Sequence, residues 1–67
     1  MAFTLKALRV NAGMDQKQAA ELLGITPETL GRWESAKTFP DAKQISKIEE
    51  LYKVPYSEIN FLLKDIG

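Results

Sequence analysis

The sequence predicts an all-α domain built from five short helices, and three observations carry that prediction. Apolar residues recur at helical spacing in five separate segments. Residues that start or stop helices bracket each of those segments. Alternation of strand type is found nowhere over a useful length. The chain has 67 residues and no internal repeat or low-complexity linker, so residues 1–67 read as a single domain.

Each helix has its own justification. Leu5, Leu8 and Ala12 fall at i, i+3 and i+7, a stripe that Thr4 can cap and Gly13 can close. Met14 then precedes Asp15, and Asp15 with Gln18 is a capping-box start for a second helix over about 16–23. Ala19, Ala20 and Leu23 form its inner face, with the alanines small enough to let a neighbour approach closely. Gly24 suits the left-handed residue that ends this helix, and Ile25 can plug the corner. Thr26 and Pro27 open the third helix, about 27–35, as N-cap and first helical residue, with Leu30 and Trp33 inward. Pro40 makes helix at Phe39 unfavourable. Asp41 and Gln44 repeat the capping signature for a fourth helix over about 42–52, with Ile45, Ile48, Leu51 and Tyr52 on one face. Val54-Pro55 ends it and opens a fifth, about 56–63, with Ile59, Leu62 and Leu63 inward.

Composition narrows the function. There is no cysteine and no histidine, which removes thiolate metal sites, the commonest zinc ligand and the commonest general base. With no nucleophile–base pair or phosphate loop either, the chain reads as neither an enzyme nor a cofactor or metal protein. No apolar run approaches the roughly 18 residues of a membrane span and the N-terminus lacks a signal-peptide pattern, so the expectation is a soluble, cytoplasmic protein. The formal net charge is zero, which argues mildly against a phosphate-binding surface. Several acids, however, look occupied as helix caps.

The corner between the second and third helices, about three residues, makes them cross steeply, the geometry of a helix-turn-helix over about 16–35. The third helix then presents Thr26, Glu28, Thr29 and Arg32 outward, all able to hydrogen-bond to base edges. Three have an ordinary alternative: Thr26 is fully explained as a cap, Glu28 as a first-turn acid, and Arg32 as a solvated surface residue or a phosphate contact; Thr29 reads as a minor contact. Gly31 is unusual in mid-helix, either allowing close approach to DNA or reflecting drift at an exposed position.

Leu5-Lys-Ala-Leu-Arg9, Gly13-Met-Asp-Gln16, Ala20-Glu-Leu-Leu-Gly-Ile-Thr26, Thr29-Leu-Gly-Arg-Trp-Glu34, Phe39-Pro40 and Ile48-Glu-Glu-Leu-Tyr-Lys-Val54 together resemble the Cro/repressor (XRE-type) helix-turn-helix family. The resemblance spans nearly the whole chain in the family's order. It implies a compact five-helix domain, phage-repressor-like, whose third helix enters the major groove, and a symmetric dimer on a palindromic operator. It also implies a phosphate contact for Gln16, with plain solvation as the alternative; Lys17, Ser35, Lys37, Thr38 and Lys43 flank the third helix and can supply further phosphate contacts, although solvation is the default for each lysine singly. Arg9 and Glu34 stand where relatives carry an internal ion pair. Two departures are visible: Ser35-Ala36 replaces the family's common glycine after helix three, and Glu49 stands where a small residue is common.

The function implied is transcriptional regulation by operator binding, with no cofactor or small-molecule ligand and with a weak homodimer. Phe61, turned away from the inner face of the fifth helix, and Ile66 are the expected dimer contacts, the alternative being a monomer in which Phe61 folds back against the first helix near Phe3. The rival reading is a helix-turn-helix used as a protein-interaction module, favoured by the neutral charge and by Leu22, Phe61 and Ile66.

Overall fold

The computed structural model describes residues 2–62, in the order β1 (Phe3–Thr4), α1 (Leu5–Asn11), α2 (Gln16–Leu23), α3 (Pro27–Glu34), α4 (Ala42–Tyr52), one 3-10 turn (Tyr56–Glu58) and β2 (Ile59–Asn60). Every α-helix starts on a side-chain cap. Thr4 Oγ1 accepts from Ala7 N, and Thr26 Oγ1 accepts from Thr29 N. At α2 and α4 the box is complete: Asp15 and Asp41 accept the amides of Gln18 and Gln44, whose side chains accept the cap amides in return.

The first three α-helices also end alike. After α1, Gly13 N–H donates to Val10 O and Met14 N–H to Arg9 O. After α2, Gly24 N–H reaches Glu21 O and Ile25 N–H reaches Ala20 O; after α3, Ala36 N–H reaches Trp33 O and Lys37 N–H reaches Arg32 O. Each closure needs one residue in the left-handed region. Gly13 and Gly24 supply it at φ +74° and +73°, and Ala36 supplies it at +61° despite its Cβ.

These corners aim the apolar stripes at one core of Leu5, Leu8, Ala19, Ala20, Leu23, Leu30, Trp33, Ile48 and Ile59. Ala19 and Ala20 are fully buried, which brings α3 and α4 close against α2. Ile25, Leu51, Tyr52 and Val54 pack half-buried around this centre. Ala12, expected on the α1 stripe, is exposed because the helix has already ended at Asn11.

The fifth helix is where expectation and structure part. The all-α fold holds, but among the described residues there are four α-helices, and 56–58 makes only one 3-10 turn. Ile59 is extended at φ −109° and ψ 126°, and β2 pairs in parallel with β1 in the register Phe3↔Ile59 and Thr4↔Asn60. Burial of Ile59 is thus achieved from a strand. Asn60 Oδ1 then accepts from Leu62 N at 3.0 Å, turning the chain and leaving Leu62, expected inward, 76% exposed. Strands of two residues are too short for alternation to register in a sequence. Leu63 and Ile66 lie outside the described residues.

Candidate nucleic-acid interface

The outer face of α3 begins at its cap. Thr26 Oγ1 accepts from Thr29 N at 3.2 Å and shares a hydrogen bond of 2.9 Å with Thr29 Oγ1, so both hydroxyls are engaged locally. Pro27 brings no amide hydrogen. Glu28 and Arg32, one turn apart and both exposed, form an ion pair of 3.5 Å between Oε2 and Nη2. Thr29 is half-buried.

Behind this face lies a second, buried ion pair. Arg9 Nε donates to Glu34 Oε2 at 2.7 Å and Nη2 donates to Oε1 at 3.2 Å, a two-pronged contact that guanidinium and carboxylate geometries match. Arg9 Nη1 donates to Met14 O at 3.0 Å. One side chain therefore joins the end of α3 to the corner that launches α2. The hydrogen bond to Glu34 raises the Arg9 guanidinium above its ordinary pKa, outweighing the opposing effect of burial. Tyr52 approaches from α4. Burial pushes its phenol up and the Glu34 charge adds to the shift, while its buried hydroxyl has no hydrogen-bond partner among the described residues.

Gln16 enters the same cluster, its Nε2 donating to Glu34 Oε1 at 3.1 Å. Because an ionised carboxylate only accepts, the nitrogen and not the oxygen of this amide faces Glu34, and Nε2 keeps a second hydrogen for another acceptor. A Cβ at Gly31 would stand 3.6 Å from Gln16 Nε2, so the glycine lies under this crossing of α2 over α3. Ser35 differs from a free donor. Its hydroxyl turns back to Gly31 O at 2.9 Å and Arg32 O at 3.3 Å, so its hydrogen is directed into the helix end and the oxygen can only accept from outside. Lys17, Lys37, Thr38 and Lys43 are exposed, with Lys37 placed at the end of α3 by its amide bond to Arg32 O.

Several of the acids are engaged within the fold. Asp15 and Asp41 cap helices, and Glu34 is buried against Arg9. Glu49 Oε2 accepts from Tyr56 N at 2.7 Å, tying the 3-10 turn to α4. That role, and the joining of Gln16 to Glu34, had no local signal in the sequence, since the partners stand 7 and 18 residues apart. No group of three His, Cys, Asp or Glu among the described residues could hold a metal. No helix among them is long and apolar enough to cross a membrane.

A groove of about 460 Å³ opens elsewhere, lined in part by Phe39, Pro40, Ile45, Tyr56, Ile59 and Phe61. Phe61, expected to be exposed on a fifth helix, is half-buried and stacked on Tyr56 with ring centroids 5.9 Å apart. The chain passes it after a strand, so helical spacing does not decide its direction.

A family model described as helix-turn-helix matches residues 5–59. The chain is 37% identical over 60 residues to the SPbeta prophage-derived uncharacterized HTH-type transcriptional regulator YonR of Bacillus subtilis (strain 168), covering 90% of this chain and 53% of that protein. It thus spans about half the length of the curated relative it matches. No solved structure matches the chain.

Proposed function

The chain belongs to the helix-turn-helix family, and from that membership and the geometry of α2 and α3 we propose that it is a sequence-specific DNA-binding transcriptional regulator. The observation that carries the reading is the exposed pair Glu28 and Arg32 on a helix whose other face is locked to α1 and α2 by Arg9 and Glu34. A recognition helix must project polar side chains while its own position is held, and α3 meets both conditions. Arg32 reads guanine O6 and N7, and Glu28 accepts from a base amino group. Thr29 and Thr26 contribute at the edge of that contact. Gln16, through its second amide hydrogen, and Lys17, Lys37, Thr38 and Lys43 hold phosphates, with Ser35 a weaker participant because its hydrogen is directed inward.

The operator is palindromic in this reading, and two copies of the chain occupy it. The groove beside Tyr56 and Phe39, which are 54% and 53% exposed, supplies an apolar contact for the second copy.

A gel-shift series on a randomised duplex pool tests the function. Wild type is expected to select a sequence and to weaken steeply with salt. Arg32→Ala is expected to keep the fold and lose about 1–3 kcal/mol of discrimination. An Arg32→Ala protein that prefers the selected site as strongly as wild type removes Arg32 from the reading role.

A further inference from the structure

We propose that Glu28 and Arg32 act as one coupled reader of a G·C base pair, with Glu28 holding Arg32 back from every other site. This rests on the DNA-binding reading of α3 and names what that face recognises.

The two side chains lie 3.5 Å apart on consecutive turns, with exposures of 56% for Arg32 and 78% for Glu28. In the free protein the guanidinium therefore already lies beside an acidic partner on its own helix. The first turn of α3 adds a second, independent observation. Pro27 has no N–H and the Thr29 N–H is taken by Thr26 Oγ1, so of the first three helical amides only that of Glu28 is left. A helix start normally attracts phosphate through such amides. This one offers a carboxylate in their place, so it disfavours the DNA backbone and needs a hydrogen-bond donor opposite it.

The major groove supplies that donor in two forms, the amino groups of cytosine N4 and adenine N6. Arg32 needs the acceptors O6 and N7 of guanine. A G·C pair carries the guanine acceptors and the cytosine amino group on one edge, matching a guanidinium and a carboxylate that already lie side by side. On such a pair both charges are satisfied at once. At an A·T pair the adenine amino group can meet Glu28 but guanine's paired O6 and N7 acceptors for Arg32 are missing; on the backbone, moving Arg32 onto a phosphate strands Glu28 with no donor, and keeping Arg32 on Glu28 withholds a cation. Either way non-specific binding is suppressed, in keeping with a DNA-reading chain whose formal net charge is zero.

The experiment compares wild type, Glu28→Ala and Arg32→Ala on the randomised duplex pool and on one non-selected duplex across a salt series, with helical circular dichroism confirming the fold. Glu28→Ala is expected to bind the non-selected duplex several-fold more tightly than wild type. Its log affinity against log salt should steepen by about 0.9, the signature of one more phosphate neutralised. It should also lose the G·C requirement at one position while keeping the rest of the site, and Arg32→Ala should lose that same position. A Glu28→Ala protein with wild-type selection and wild-type salt slope overturns the coupling and leaves the DNA-binding reading standing. Failure of wild type to bind any duplex at low salt overturns both.

Discussion

Ala36, like Lys53 at the end of α4, is a residue with a side chain held in left-handed backbone, at φ +61° and +56° respectively. It occupies the left-handed position of a helix closure that glycine fills after α1 and α2. An L-residue there is disfavoured by about 1–2 kcal/mol, partly offset by the lower chain entropy alanine gives up on folding. Ala36→Gly is therefore expected to stabilise the domain by about 0.5–1 kcal/mol, and a thermal melt should rise by about 4 °C. An unchanged or lower midpoint would show that the loop relaxes around the alanine without strain. The departure at Ser35-Ala36 was visible in the sequence, but its consequence was not. Only the φ of +61° shows that alanine accepts the glycine conformation. Glu49 is a similar case: the sequence shows an unusual acid, and the fold shows it accepting the Tyr56 amide.

At the scale of elements, the side-chain caps of α1 to α4 and the corner glycines after α1 and α2 were legible because each acts within about four residues along the chain. The orientation of α3 is decided by contacts of another range. Arg9 on α1 and Glu34 at the end of α3 are 25 residues apart, with side-chain exposures of 11% and 5%. Breaking a pair this buried by removing one partner leaves a charge without compensation, which costs about 3–5 kcal/mol. Arg9→Met is accordingly expected to lower stability by about that amount. The Arg9→Met, Glu34→Leu double variant should recover much of the loss, because a buried ion pair and an apolar replacement differ little in net stability. Urea denaturation of the four proteins of the cycle provides the check. Simple additivity of the two single changes would mean that the pair is not coupled. A stable double variant that binds DNA poorly would assign the pair to the aim of the recognition helix. The lost fifth helix belongs to this scale too, since pairing with β1 draws Ile59 into an extended conformation.

For the whole molecule, the proposed function turns on assembly. In the proposed reading a domain of this size contacts one half of a palindromic site and draws affinity from a second copy. Tyr56 lines the apolar groove and is 54% exposed, so Tyr56→Glu places a charge on that face without opening the core. Sedimentation with a palindromic duplex is expected to give two protein chains per duplex for wild type and a weaker second step for Tyr56→Glu. One chain per duplex for both proteins would retire the dimer. Leu22 and Val10, 63% and 56% exposed, stand apart from that groove's lining.

The sequence by itself determined the helix starts, the left-handed corners at Gly13 and Gly24, the apolar stripes and the outward-facing candidates Glu28 and Arg32. All of these follow from interactions among residues close along the chain, where helical periodicity and cap chemistry suffice. The tertiary structure decided the seating of Gln16 on Glu34, the inward turn of the Ser35 hydroxyl, the bond from Tyr56 to Glu49 and the strand at Ile59. Apart from the Ser35 hydroxyl, which bonds within the end of its own helix, these join residues from different elements, and in each an oxygen or amide chooses among partners that meet only after the core closes. Periodicity reports which face of a helix is buried; it carries no information about which polar group lies across the gap.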